Sequence, residues 1–119
     1  MSYQKFRARQ TIVNGIKFAS KLEADRYQQL MLLQEAGKIS NLKLQPEFQI
    51  GFGWKNPMNG EKVKSNFYVG DFEYFDPVVQ RFVVEDTKGV ETDAFKIKWN
   101  LVRSYYPHID FRKLTRKDV

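Results

Sequence analysis

The 119-residue sequence contains no cysteine and a single histidine, His108, to which we assign no role. Without cysteine the chain has no disulfide framework, no thiol nucleophile and no cysteine-based zinc site, which suits a reducing cytosol. No apolar run approaches the 18 residues that a membrane-spanning helix needs, and no signal peptide is recognisable at the N-terminus. We therefore expect a cytoplasmic protein without membrane contacts.

Acidic residues are fewer than basic ones. The chain has 14 Asp and Glu against 20 Lys and Arg, which gives a formal net charge of +6. This surplus of positive charge indicates a polyanionic partner, with nucleic acid as the leading candidate. The length predicts one domain, residues 1–119, which has room for a core but not for a separate recognition domain.

Turn and capping signals divide the first half of the chain. Asn14-Gly15 predicts a tight hairpin between Thr11 and Phe18. A helix is predicted from Ser20 to about Ala36, with Gly37 as its C-terminal cap. Alternating apolar residues on both sides of Pro46 indicate an edge strand or a bend there.

The second half is predicted to begin with an exposed loop or ribbon, Gly51 to Ser65, followed by two strands, Phe67 to Phe75 and Arg81 to about Lys88. A second helix, from about Thr92 to Tyr105, and a last strand, Ile109 to Leu114, complete the chain. The order of hairpin, helix, three strands, helix and strand predicts an α/β (α+β) domain, in which helices flank a mixed central β-sheet.

An acid occupies the middle of the apolar arc of the first predicted helix. At 100° per residue, Glu23 falls between Leu30 and Tyr27. One explanation needs no function, because Ser20 and Glu23 have the spacing of a capping box. The other explanation is that Glu23 faces a site on the sheet beneath the helix.

Two further acids fall inside predicted strands, where Asp is depleted and a buried carboxylate needs a partner or a metal. Alternation places Asp86 and Lys88 on one face of their strand, and the hairpin brings Asp71 beside Asp86. Adjacent carboxylates repel one another unless a cation lies between them. Taken singly, Asp71 can be an exposed surface acid, and Asp86 can simply pair with Lys88.

Together with Glu23, these residues predict three acids and one lysine at one point. Oxygen ligands without histidine or cysteine favour Mg²⁺ or Mn²⁺ over zinc. Such an ion can activate a water and neutralise charge on a phosphate under in-line attack, and Lys88 can stabilise the transition-state oxygens. On a basic protein this chemistry indicates phosphodiester hydrolysis.

At these residues the sequence resembles the PD-(D/E)xK nuclease superfamily, and within it the small phage endonucleases likened to Holliday-junction resolvases. The resemblance runs from about Phe18 to Tyr106 and is carried by SKLEADRYQQL, LQPEF, YVGDFEYF and VVEDTKG, in that order. It implies a restriction-endonuclease-like core. It also implies roles for four residues: metal ligands Glu23, Asp71 and Asp86, and a catalytic lysine, Lys88.

The resemblance leaves one choice of ligand open and adds flanking residues. Gly70 stands where the family's proline would be, and Gln45 lies where such nucleases often carry a polar residue near the metal. Glu85 is the alternative ligand to Asp86, because a β-bulge would exchange the two acids. The helix after the lysine strand would flank the site with two cations, Lys96 and Lys98.

Other basic residues are predicted to contact DNA phosphates, which carry no sequence information. Three cations alternate along the N-terminal arm, and four more lie near the C-terminus. Trp54, in the glycine-rich segment, could stack on an unpaired base. The basic residues are Lys5, Arg7 and Arg9 in the arm, and Arg112, Lys113, Arg116 and Lys117 near the C-terminus.

The expected function is therefore that of a Mg²⁺- or Mn²⁺-dependent DNA endonuclease acting on branched or double-stranded DNA, such as a Holliday junction, in phage replication or recombination. It would work in the cytoplasm, that of the host cell if the protein is phage-encoded. Cutting both strands of a branch would require a homodimer. Two alternatives are a non-catalytic nucleic-acid-binding module, which would bind without metal, and a nuclease fold whose chemistry has lapsed.

Overall fold

The structure, a computed structural model, describes residues 10–119. The predicted DNA-binding arm of Lys5, Arg7 and Arg9 lies outside the described residues. In chain order the elements are β1 (Thr11–Val13), β2 (Ile16–Phe18), α1 (Lys21–Glu35), β3 (Ser40–Leu44), β4 (Glu47–Gln49), β5 (Trp54–Lys55), β6 (Lys62–Val63), β7 (Phe67–Val69), β8 (Phe72–Asp76), β9 (Arg81–Thr87), α2 (Asp93–Tyr105), β10 (Asp110–Leu114) and a 3₁₀ helix (Arg116–Asp118).

Local signals set the first two strands and the first helix. Asn14 and Gly15 have φ angles of 51° and 77°, as the tight turn between β1 and β2 requires. Ser20 caps α1 by accepting a hydrogen bond from the Glu23 N–H at 3.1 Å. Gly37, with φ 75°, follows the last turn. The predicted hairpin and helix agree with these elements.

The main sheet has four strands in the order β10-β9-β8-β3. β10 runs parallel to β9, whereas β8 is antiparallel to both β9 and β3. The sheet is therefore mixed, and the predicted α+β class is confirmed. β3 is an edge strand, and the chain bends after it at Gln45, where φ is 49°.

The two helices cover opposite faces of the sheet. Val83 and Val84 are neighbours on β9 and both fully buried, yet they belong to different apolar clusters. Val83 packs with Leu30 of α1, whereas Val84 packs with Trp99 of α2. Within residues 10–119 neither helix is long and apolar enough to cross a bilayer.

The predicted strand from Phe67 to Phe75 is wrong in one respect, because it is broken at Gly70 and Asp71. β7 pairs with β4, whereas β8 pairs with β9 and β3. Tyr68 packs on the α2 side and Phe72 on the α1 side, although simple alternation predicted a shared face. A Cβ on Gly70 would lie 2.7 Å from Val84 Cγ1, so the chain approaches β9 closely where it changes partners.

Candidate functional site

The end of β9 carries Asp86 and Lys88 on the α2 side of the sheet. The Lys88 ammonium lies 3.4 Å from Asp86 Oδ1 and 4.4 Å from the centre of the Phe95 ring. These side chains line an open cavity of about 320 Å³, which Lys98 of α2 also borders. Lys96 is exposed and lies outside this lining. The Lys88 ammonium therefore lies between the Asp86 carboxylate and the Phe95 ring, with which it forms a cation–π contact.

Asp86 is a buried carboxylate with two partners. The Tyr68 hydroxyl donates a hydrogen bond to Oδ2 at 2.5 Å, while Lys88 approaches Oδ1. Burial, and then the charge of Asp71, raise the pKa of Asp86 to about 6, although its bonds with Tyr68 and Lys88 act in the opposite direction. Burial also raises the pKa of Tyr68, so its hydroxyl remains a proton donor.

Asp71 lies at the break between β7 and β8, and Thr87 holds its side chain. Asp71 Oδ2 accepts hydrogen bonds from the Thr87 N–H at 2.7 Å and from the Thr87 hydroxyl at 2.8 Å. The Asp71 N–H donates to the Glu85 carbonyl at 2.9 Å. Within residues 10–119 no hydrogen bond reaches Asp71 Oδ1, which leaves that oxygen available to a ligand.

Glu23 reaches the same region from α1. Its side chain is largely buried, with 7% exposure, and lines a cavity of about 180 Å³ together with Asp71 and Gln45. Burial, and then the charge of Asp71, raise the pKa of Glu23 to about 7. Asp86 raises this pKa further, whereas Lys88 and a hydrogen bond from the Ala19 backbone lower it.

Only half of the predicted capping box is present at Glu23. The Ser20 hydroxyl accepts from the Glu23 N–H, but within residues 10–119 no bond returns from the Ser20 N–H to the Glu23 carboxylate. The cap therefore explains the Glu23 backbone and leaves its carboxylate facing Asp71.

The four residues thus come from α1, the β7–β8 break and the end of β9. After the larger effect of burial, the charge of Asp71 raises the pKa values of both Glu23 and Asp86. The four residues line two different cavities instead of the single one predicted, with Glu23 and Asp71 in one and Asp86 and Lys88 in the other. Among residues 10–119 no three acidic or histidine side chains are already arranged as a metal-ligand set. Their chemistry nevertheless fits a hard divalent cation, because such an ion would compensate the negative charges whose burial and mutual repulsion raise the pKa values of Glu23 and Asp86.

Glu85, the alternative ligand, points to the opposite side of β9. Its side chain is fully buried and accepts from Arg26 of α1, from Nε at 2.7 Å and from Nη2 at 2.6 Å. The Tyr74 hydroxyl also donates to it. Since Arg26 and Tyr74 occupy its oxygens, Glu85 serves as the anion of a buried ion pair.

A second, basic cleft adjoins Lys88. Lys88 also lines a cavity of about 440 Å³ together with Arg116 and Lys117. Arg116 contacts Asp25 of α1 at 2.9 Å. The Lys88 N–H donates to the Leu114 carbonyl at 2.9 Å, which ties the lysine to β10 and to the basic segment after it. Through Lys88, which lines both cavities, Arg116 and Lys117 lie beside the cavity that contains Asp86.

The other two C-terminal cations have acidic partners outside this cleft. Arg112 pairs with Asp110 at 2.8 Å, and Lys113 pairs with Glu91 at 3.0 Å. Both residues line a different cavity, beside Arg26 and Glu85. Only Arg116 and Lys117 of the predicted C-terminal group therefore adjoin Lys88.

Sequence reasoning missed three residues that position the site. Tyr68 and Arg26 bond acids that are 18 and 59 residues away along the chain, and no short motif marks such pairs. The position of Thr87 is a weak indication of its role, because it stands between the acid and the lysine of VVEDTKG. Its hydroxyl and N–H both point at Asp71.

A protein-family model matches residues 3–117, nearly the whole chain. The chain belongs to the DUF1064 family. That family is described as one of proteins of unknown function, so the match names no activity. Neither the curated proteins nor the solved structures include a match to the chain.

Proposed function

We propose that the protein is a metal-dependent DNA endonuclease of the PD-(D/E)xK type, which hydrolyses phosphodiester bonds with Mg²⁺ or Mn²⁺ as its cofactor. One observation carries the proposal: beside Lys88, burial and then the charge of Asp71 raise the pKa values of Glu23, on a helix, and of Asp86, on a strand. A structural ion-pair network would place a cation against each acid. Here, within residues 10–119, Asp86 forms an ion pair with Lys88 at 3.4 Å, whereas neither Glu23 nor Asp71 forms one.

Glu23, Asp71 and Asp86 are the residues that would hold the cation, which as a Lewis acid supplies an activated water and neutralises phosphate charge. Tyr68 fixes the orientation of Asp86, as a hydrogen-bond partner of a metal-ligating carboxylate does. Lys88 stabilises negative charge on the phosphate oxygens. The Phe95 ring lies 4.4 Å from the lysine ammonium and holds it by a cation–π contact.

The substrate proposal rests on the positive charge around the site. Lys98 borders the Asp86 cavity, and Arg116 and Lys117 border the adjoining basic cleft, so DNA phosphates on either side of the cut bond meet cations. We assign Lys5, Arg7, Arg9 and Lys96 to the same role. Since contacts with phosphates carry no sequence information, we propose selection of DNA structure, such as a branch, over sequence, and a homodimer working in the cytoplasm.

The test is cleavage of plasmid, single-stranded and four-way-junction DNA in chelator, in Mg²⁺ and in Mn²⁺. Asp86→Asn is the active-site variant, and Glu47→Gln, an exposed acid on β4, is its matched control. We expect metal-dependent cleavage by the wild type and by Glu47→Gln but not by Asp86→Asn. If neither metal supports cleavage of any of these DNAs, the nuclease proposal is wrong.

A non-catalytic nucleic-acid-binding module is the second candidate. It is favoured by one observation, that Tyr68 and Lys88 already engage both oxygens of Asp86. Such a module would bind DNA equally well with and without divalent metal. The same DNAs decide the case, because a nuclease cuts them in Mg²⁺ or Mn²⁺ and a binding module leaves them intact.

A further inference from the structure

β5 and β6 form a two-stranded ribbon that pairs with no other strand among residues 10–119. Its tip is ordered by its own hydrogen bonds: the Asn56 N–H donates to the Glu61 carbonyl at 2.7 Å, and the Asn56 side chain accepts from Met58 at 2.9 Å. Isolated two-stranded ribbons are only marginally stable in water. This one nevertheless exposes large apolar side chains, with Met58 90% and Trp54 55% exposed.

The two faces of the ribbon differ in chemistry. Trp54 pairs across the strands with Val63, and the next pair is Lys55 with Lys62. Because neighbouring side chains on a strand point to opposite faces, one face is aromatic and the other carries two lysines. Like charges directly opposite each other destabilise a ribbon, so the lysine pair costs stability unless an anion lies between the two ammonium groups.

We propose that this ribbon binds a DNA branch point, with Trp54 stacked on an unpaired base and Lys55 and Lys62 on phosphates of the neighbouring strand. The inference rests on the proposed function in taking DNA as the partner, and it identifies the element that selects DNA structure. Aromatic side chains stack on bases whose faces are uncovered, as they are at a branch but not inside a duplex. The paired lysines supply the charge complementary to phosphate.

The ribbon lies close to the candidate active site. Only three residues separate the end of β6 from Phe67, which lines the same cavity as Asp86 and Lys88. A fully extended chain covers at most about 14 Å between Val63 and Phe67. DNA held on the ribbon therefore passes near Lys88.

The test compares forked DNA with a fully paired duplex of the same sequence, in chelator so that no DNA is cut. The variants are Trp54→Ala, Trp54→Phe and, as a matched exposed apolar control, Val78→Ala in the turn between β8 and β9, which is 89% exposed in the wild type. We expect Trp54→Ala to bind the fork about fivefold or more weakly, since stacking on one base is worth that much or more. Duplex binding should change less than twofold. Val78→Ala should bind both DNAs as the wild type does.

Tryptophan fluorescence gives a second readout. Trp99, the other tryptophan, is only 5% exposed and packs in the core, so quenching on DNA binding reports Trp54. We expect the fork to quench the fluorescence of the wild type but not of Trp54→Phe, while the duplex quenches neither protein.

The salt dependence of binding tests the lysines. Combining Lys55→Gln with Lys62→Gln should lower the slope of log affinity against log salt concentration for an unpaired strand by about 1.4.

Three results would overturn the inference. The wild type could bind fork and duplex equally well, Trp54→Ala could bind the fork as tightly as the wild type does, or Trp54→Ala could lose only self-association. The last result would make the ribbon a contact between copies of the chain. Because these measurements contain no divalent metal, they are independent of cleavage. If the wild type cuts DNA and Trp54→Ala binds forks normally, the inference about the ribbon is wrong while the nuclease proposal stands.

Discussion

The carboxylate of Asp71 is fastened to Thr87 by two hydrogen bonds, from the backbone N–H at 2.7 Å and from the hydroxyl at 2.8 Å. Thr87 lies between Asp86 and Lys88, so these bonds join the break between β7 and β8 to the strand that carries both residues. The position of Asp71 relative to Asp86 and Lys88 is therefore set by direct contact.

Asp71→Asn should separate this structural bond from the charge of Asp71. The amide oxygen can still accept from Thr87, so the fold should persist. Cleavage in Mg²⁺ or Mn²⁺ should fall at least about tenfold, the smallest loss expected even for a residue that only supports a metal ligand. Melting without metal should be unchanged or higher, because repulsion of Glu23 and Asp86 is relieved. Wild-type cleavage by this variant would exclude Asp71 as a ligand.

Glu23→Gln and Ser20→Ala should have opposite effects. Glutamine keeps the shape of Glu23 and can occupy the same capping position, so metal-free stability should hold or rise. Cleavage should fall more than about tenfold, or about 1.4 kcal/mol of transition-state stabilisation. Ser20→Ala removes the cap and should cost about 1 kcal/mol of folding stability with little effect on cleavage. If Glu23→Gln cuts normally, Glu23 serves the helix alone.

The metal-free protein should lose stability as the pH rises from about 4.5 to about 7. Glu23 takes up its proton at a higher pH in the folded chain, because burial, and then Asp71, raise its pKa from 4.5 to about 7. The stability that protonated Glu23 adds is fully present when the pH is below its pKa in the unfolded chain. It is lost as the pH rises through its pKa in the folded chain. Urea unfolding at several pH values should show a shallower dependence for Glu23→Gln. Identical slopes would contradict the raised pKa.

Lys88→Met should abolish most cleavage while leaving DNA binding nearly intact. Methionine keeps an apolar stem against Phe95 but removes the ammonium near Asp86. A loss of about 100-fold or more in rate is expected for a group that stabilises the transition state. Lys98→Met, in the same cavity, is the control and should weaken binding more than rate. Equal rates for the two variants would remove Lys88 from the chemistry.

Glu85→Gln should unfold the protein more readily and so differ from Asp86→Asn. Removing one partner of a buried ion pair costs about 3–5 kcal/mol, since Arg26 would keep its charge without a counter-charge. Denaturant titration measures the loss directly. Lys21→Gln, which breaks the exposed pair of Lys21 with Asp25, is the control and should change stability little. Asp86→Asn should instead lose cleavage with its fold intact, and a fully stable Glu85→Gln would contradict the structural role of Glu85.

Short-range signals predicted the local elements well. The turn at Asn14-Gly15 and the helix between Ser20 and Gly37 follow from positive φ angles and caps, which depend on residues a few positions apart. Simple alternation also places Asp86, near the end of β9, and Lys88, the residue after that strand, on one side of the sheet, where both line the same cavity.

The sequence did not predict which strands and side chains pair over long distances along the chain. Buried and exposed residues continue to alternate through Phe67–Phe75, so the pattern does not reveal that the chain changes partner strand at Gly70. The partners Arg26 and Tyr68 could not be assigned either, since a buried acid attracts whichever donor the fold brings near it. Sequence alone therefore predicted one meeting point for Glu23, Asp71 and Asp86, which line two cavities in the structure, and it did not predict what holds each of them.

The bond between the Lys88 N–H and the Leu114 carbonyl has a consequence for the order of synthesis. β10 lies parallel to β9, and parallel pairing joins segments that are distant along the chain and slow to meet. Until the ribosome has translated as far as Leu114, the strand that carries Lys88 lacks its neighbour on that side. A nascent chain thus contains Glu23, Asp71 and Asp86 before it can form the bond that ties the Lys88 backbone to β10.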